Sequence, residues 1–318
     1  MEQAQLDEII GCLPKGRTLF PYFKDRYALL LLSYFVDGGK PIRAIKQSHF
    51  RGLLDKPLLK NTTRALPGDA LTANALSAVW PEAYTVYRLT LGTWGPRSYW
   101  EQDWYQTSRP GKNLVLQLNF SSKHNRSYYR LIRPRREHPF QWTCHPVSKK
   151  ALTLAWARLD VDLDAGVALI EEIQNDWIRE ALWYKWLLGP RCRVNARRRR
   201  RALYGLFSKA DANVDRLHAY VDRVLKPHID LWDEAMLTAT LWFLREELGI
   251  RRIFFHTFDS GLRMKGMRYG RPPRSLYSRL PRRFCFEETD EVPAFLMAHR
   301  RVRKEVRKGG IRFFLLDV

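Results

Sequence analysis

The stretch Ala151 to Trp177, ALTLAWARLDVDLDAGVALIEEIQNDW, constrains this chain more than any other. Two apolar runs flank Ala165-Gly166, a pair suited to a hairpin turn. The first run carries Asp160, Asp162 and Asp164, and the second passes directly into Glu171, Glu172, Gln174, Asn175 and Asp176. Side chains two apart share a strand face, so Glu172 and Gln174 are expected to point with Ile170. A carboxylate on an inward strand face is costly unless a cation or donor meets it. That cost marks Glu172, with Gln174 and Asp160, as a candidate site. The competing reading is a helix start, with acids near its positive end.

The segment ALIEEIQNDWIRE, followed later by Trp232, a helical run to Leu248 and GIRRIFFHTFDSG, resembles an uncharacterised domain of large phage and mobile-element proteins. Its motif has the form EEIQSDW, here with Asn175 in place of Ser. The resemblance implies a shared site around Glu171, Glu172, Gln174, Asp176 and Trp177, and names no reaction.

At 318 residues, 45% hydrophobic and 13% aromatic, the chain has ample material for a packed core. The pattern predicts an α+β fold. A helical domain over residues 1–80 precedes a mixed α/β domain over 81–318 with a central sheet and a basic insertion at 189–228. Arg26 to Phe35 reads as a buried helix, and Pro41 to Phe50 with Leu53 to Asn61 as a basic helix-turn-helix outline. Tyr84 to Gly92, Asn113 to Phe120 and Ser127 to Arg136 read as strands. The aromatic loop between the first two holds Trp94, Tyr99, Trp100, Trp104 and Tyr105, rings that either stack unpaired bases or form a minicore. Asp230 is expected to cap a helix running to Leu248. Arg251 to Phe255 then delivers His256 at the end of a strand, where sites of open α/β sheets gather. Gly266 to Arg283, rich in Gly, Pro and Arg and holding Tyr269, reads either as a mobile basic lid over that site or as a structural loop.

Fifty-five Lys and Arg against 33 Asp and Glu give a net charge of +22. Such a balance favours polyanions, DNA or RNA first and an acidic partner protein second. The cue is densest at Arg191, Arg193, Arg197, Arg198, Arg199, Arg200 and Arg201, whose forked donors match phosphate. Four scattered cysteines without a CxxC pair argue against a zinc ribbon and fit a reducing cytoplasm. No apolar run is long enough to span a membrane.

Three functions fit these residues. The acids are similar in layout to PD-(D/E)xK nucleases, which implies Mg²⁺ held by Asp160, Asp162 and Glu172, with Gln174 standing where that family has Lys. His256 would join the same site. The order Arg88, Ser121, Glu172 is similar to that of NAD-dependent ADP-ribosyltransferases. In the third reading the chain binds nucleic acid or a partner without catalysis. The metal-dependent nuclease is the preferred expectation.

Overall fold

The computed structural model describes residues 1, 3–12, 18–66, 68–96, 106–134, 138–207, 213–267 and 271–318. Tyr99, Trp100, Trp104, Tyr105 and Tyr269, singled out above, lie outside them. The main elements in chain order are β1 (Thr18–Tyr22), α1 (Arg26–Val36), β2 (Thr85–Trp94), β3 (Asn113–Asn119), α2 (Ser122–Ile132), β4 (Thr153–Asp162), β5 (Val167–Gln174), α3 (Trp177–Leu188) and α4 (Ala196–Leu206). They continue with α5 (Trp232–Trp242), β6 (Arg252–His256), α6 (Phe258–Met264), β7 (Glu287–Thr289), α7 (Arg300–Arg307) and β8 (Phe313–Asp317). The fold is α+β, built on one mixed eight-stranded sheet in the order β1-β2-β3-β4-β5-β6-β8-β7. Neighbours are antiparallel except β5 and β6, whose parallel ladder runs from Val167↔Arg252 to Ile170↔Phe255.

Alternation along the strands separates the two faces. Ala157, Leu159, Ala168, Ile170, Ile253 and Phe255 join a large apolar core that also takes residues from α1, α2, α3 and α5. Leu169, Phe254 and Phe313 point to the other face, where Met264, Phe295 and Val302 close a smaller core. The rest of that second face, over β3, β4 and the end of β5, mixes Val115 and Trp156 with buried polar groups, Asn113, Gln117, Arg158 and Asp160.

The N-terminal 80 residues do not form the separate helical domain expected of them. Leu6, Ile9, Tyr22, Tyr27 and Leu31 belong to the same core as the sheet, and β1 is its edge strand. Tyr22 Oη donates to Glu234 Oε1 on α5 at 2.6 Å, tying the N-terminal segment to a helix more than 200 residues later. The basic outline between them resolves into short helices at Ile42–Lys46 and Pro57–Arg64 around a 3₁₀ turn, His49–Asp55.

Two local readings also change. Ser127 to Ile132 is helical, because Ser121 caps α2 by accepting from His124 N at 3.4 Å. His124, Tyr128 and Ile132 then fall on one buried face four residues apart. Asp230 caps nothing on α5; both its oxygens accept from Lys226 Nζ, at 2.7 and 2.8 Å. No helix among the described residues is long and apolar enough to cross a membrane.

The large core contains two histidines that titrate out of range. His124 stacks on Phe120 at 3.6 Å between centroids, and His228 Nδ1 meets Tyr87 Oη at 3.0 Å. Burial, with His228 adding, pushes His124 down to about 3, and burial pushes His228 down to about 4. In the unfolded chain both take a proton near pH 6.5. The unfolded state therefore binds more protons between those values, so stability rises with pH in that window and is lost on acidification. Denaturant midpoints measured from pH 7.5 down to 4.5 are expected to fall steadily. A flat profile would mean that water reaches both rings.

Candidate functional site

The acidic stretch does build a site, through a departure from regular alternation. Ala165-Gly166 makes the expected turn, with Gly166 at φ 63° and Asp162 Oδ1 accepting from Ala165 N at 3.1 Å. Further along, Leu159 pairs with Ile170 but Arg158 pairs with Glu172, which leaves Glu171 as an extra residue. This β-bulge re-aims the chain. Ile170 faces the large core, while Glu171 and Glu172, consecutive in sequence, both reach the second face. The expectation that Glu172 shares the direction of Ile170 is corrected by that one residue.

Each carboxylate meets its own partners. Glu172 pairs with Arg158, and both side chains are buried. Glu171 accepts from Ser108 N at 3.0 Å and from Ser108 Oγ at 2.8 Å. His256 Nε2 lies 2.8 Å from Ser108 Oγ and 3.1 Å from Glu171 Oε2. Lys265, at the end of α6, donates to the Glu171 carbonyl at 2.9 Å, just where β5 has outrun its parallel partner. Gly261 makes this packing possible, since a Cβ there would stand 3.2 Å from His256 Cβ.

The charges are balanced inside the cluster. Burial opposes the ionisation of Glu171, but His256, Lys265 and Arg158 outweigh it and hold the carboxyl well below its ordinary range. Glu172 is lowered in the same way, burial being overcome by Arg158 and then Lys265. Burial pushes His256 down and outweighs the upward pull of Glu171, with Lys265 and Arg158 adding to burial. A neutral His256 with its proton on Nε2 fits the contacts, because its Nδ1 is buried without a partner. Nε2–H then donates to Ser108 or Glu171, and Ser108 Oγ–H donates to Glu171. In a nucleophilic triad the serine proton goes to the imidazole and the acid sits on the opposite ring nitrogen. Here both partners crowd one nitrogen and the serine is 1% exposed, so the trio is a locked polar network.

The other expected ligands stand apart. Asp160 receives Arg109 Nε at 2.6 Å and Nη2 at 2.8 Å, and the Met1 ammonium at 3.3 Å. Asp162 serves the turn. Gln174 Nε2 donates to Asp176 Oδ1 at 2.7 Å, and Asp176 also holds His145 and Arg179. Asp160, Asp162 and Glu172 thus do not fit a shared divalent cation. Asp160 and Glu172 are already neutralised by guanidinium groups, and no three His, Cys, Asp or Glu among the described residues group to hold a metal. Nor do Arg88, Ser121 and Glu172 converge. Two strands separate β2 from β5, a span of roughly 14 Å at the usual inter-strand spacing, and Ser121 is spent capping α2.

His256 lies on the face of Glu172, as expected, though it bonds Glu171. Arg158, Ser108, Arg109 and Lys265 were missed. Arg158 alone left a trace, in the alternation of Trp156, Arg158 and Asp160 against Ala157, Leu159 and Val161.

The arginine run forms α4, capped by Asn195 Oδ1 accepting from Arg198 N at 2.8 Å. Arg199 turns inward and donates to the carbonyls of Leu188 and Gly189, placing a cation on the negative end of α3. Arg197, Arg198, Arg200 and Arg201 are exposed, as are Arg191 and Arg193, and none has an acidic partner among the described residues. No protein-family model matches this chain, and neither a curated protein nor a solved structure was found to match it.

Proposed function

We propose that this protein binds nucleic acid through the exposed arginines of α4 and the turn before it, and that the bulge cluster serves to hold the sheet together. The observation that carries this reading is the uncompensated stripe Arg197, Arg198, Arg200 and Arg201. Four like charges on adjacent turns repel one another, a cost that a phosphate backbone removes. The stripe is held on a folded helix, so an incoming polyanion meets an ordered surface. The overall charge of +22 favours encounter with the same class of partner.

Affinity for a DNA or RNA oligonucleotide should fall steeply with salt, each neutralised phosphate adding about −0.7 to −0.9 to the slope of log K on log salt. Replacing Arg197, Arg198, Arg200 and Arg201 by Ser should flatten the slope by about the sum of the lost contacts. Titrations at several salt concentrations check this. Absence of binding at low salt would end the reading, and so would an unchanged slope in the Ser variant.

A further inference from the structure

The helix next to the arginine stripe carries large rings on the face turned away from the core. Along α3 the buried residues Trp177, Ile178, Ala181 and Leu188 face the large core. The opposite stripe, Arg179, Leu182, Trp183 and Trp186, is exposed at helical spacing. Trp186 is 59% exposed and Trp183 39%, and Trp142, 44% exposed, lies against the Arg179 guanidinium at 5.3 Å. Exposed apolar surface rimmed by polar residues marks an interaction site.

α4 packs antiparallel along α3. Arg199 reaches the last carbonyls of α3, while Gly205, two turns later, comes up against the Tyr184 hydroxyl. Ala202, Leu203 and Leu206 turn α4 toward the large core, as Trp177 and Ala181 turn α3. The ring stripe and the arginine stripe therefore both look outward from one helical hairpin.

We propose that this hairpin is a binding surface for single-stranded nucleic acid, with bases stacked on Trp183 and Trp186 and phosphates held by the arginines of α4. The inference rests on the nucleic-acid reading above and adds a strand preference to it. Trp183 and Trp186 are three residues apart, a rise of about 4.5 Å, which suits neighbouring bases. Base faces are free for stacking in a single strand and closed in a duplex. The cations decide against an apolar protein groove as occupant, because such a groove supplies no counter-charge for the arginines.

The test uses fluorescence anisotropy with a labelled single-stranded oligonucleotide and with its duplex, comparing the parent with Trp183→Ala/Trp186→Ala. The parent should prefer the single strand. The double variant should lose at least about tenfold affinity for it, with little change for the duplex and an unaltered salt slope. Both side chains are exposed, so its melting should match the parent's. Equal binding of both strand forms, or a variant that binds the single strand as the parent does, overturns the inference and leaves the polyanion reading standing. No binding of either form overturns both. Loss of sedimentation with anionic phosphatidylserine vesicles, without loss of oligonucleotide binding, would assign the rings to a membrane surface instead.

Discussion

Glu172→Gln, although nearly isosteric, is expected to lower unfolding free energy by about 3–5 kcal/mol, the usual cost of leaving one member of a buried ion pair uncompensated. The group deprived of its carboxylate would be Arg158, whose side chain is 2% exposed and whose guanidinium also donates to the Gln106 carbonyl at 3.2 Å. Lys265 makes matters worse, since with Glu172 neutral two buried cations share the single charge of Glu171. Arg158→Met should cost a similar amount by stranding Glu172. The double variant Glu172→Gln/Arg158→Met should recover much of the loss, because it removes the charges together. Urea midpoints at pH 7 for the four proteins give the coupling directly. A loss under about 1 kcal/mol in both single variants would show that water screens the pair. A catalytic Glu172 predicts the opposite pattern, full stability with loss of activity.

How far the sequence discloses this arrangement depends on the range of the interaction. The hairpin through Gly166, the strand that delivers His256 and the helix running toward Leu248 follow from local periodicity and were legible. The bulge was not. A single extra residue at Glu171 leaves composition and spacing unchanged, yet it decides which face both glutamates take. The partners of those glutamates were hidden for a different reason. Ser108 comes from a loop 63 residues before Glu171, and Lys265 from a helix end 94 residues after it. Nothing local marks either as inward-facing. Ser127 to Arg136 reads as a strand in sequence, and over Ser127 to Ile132 the cap at Ser121 overrode that propensity. The N-terminal helices looked separable because Gly68-Asp69 and Trp80-Pro81 punctuate the chain up to residue 81. The edge pairing of Thr18–Tyr22 with β2 and the bond from Tyr22 to Glu234 tie them to the sheet's core.

Trp177, the tryptophan that ends the acidic motif, is the second position where a large effect is expected. It is fully buried, in contact with Tyr128 at 4.9 Å, Phe120 at 5.1 Å and Phe140 at 5.6 Å between ring centroids. Its indole N–H donates to Tyr220 Oη at 2.6 Å, and Tyr220 in turn meets His124 Nε2 at 3.1 Å. Since burial keeps His124 neutral, Tyr220 can give its proton to that ring while accepting from the indole. Trp177→Ala empties the centre of this layer and should cost about 3–5 kcal/mol. Trp177→Phe keeps most of the ring volume but leaves the Tyr220 oxygen without its donor, a loss of about 1–3 kcal/mol. The difference between the two variants isolates the cavity from the hydrogen bond. Circular dichroism in urea avoids interference from the other tryptophans. A Trp177→Ala protein within about 1 kcal/mol of the parent would mean that the layer collapses around the gap. In that case α3, which begins at this residue and displays the exposed tryptophans on its far side, would have to be held in place by its C-terminal contacts with Arg199 instead.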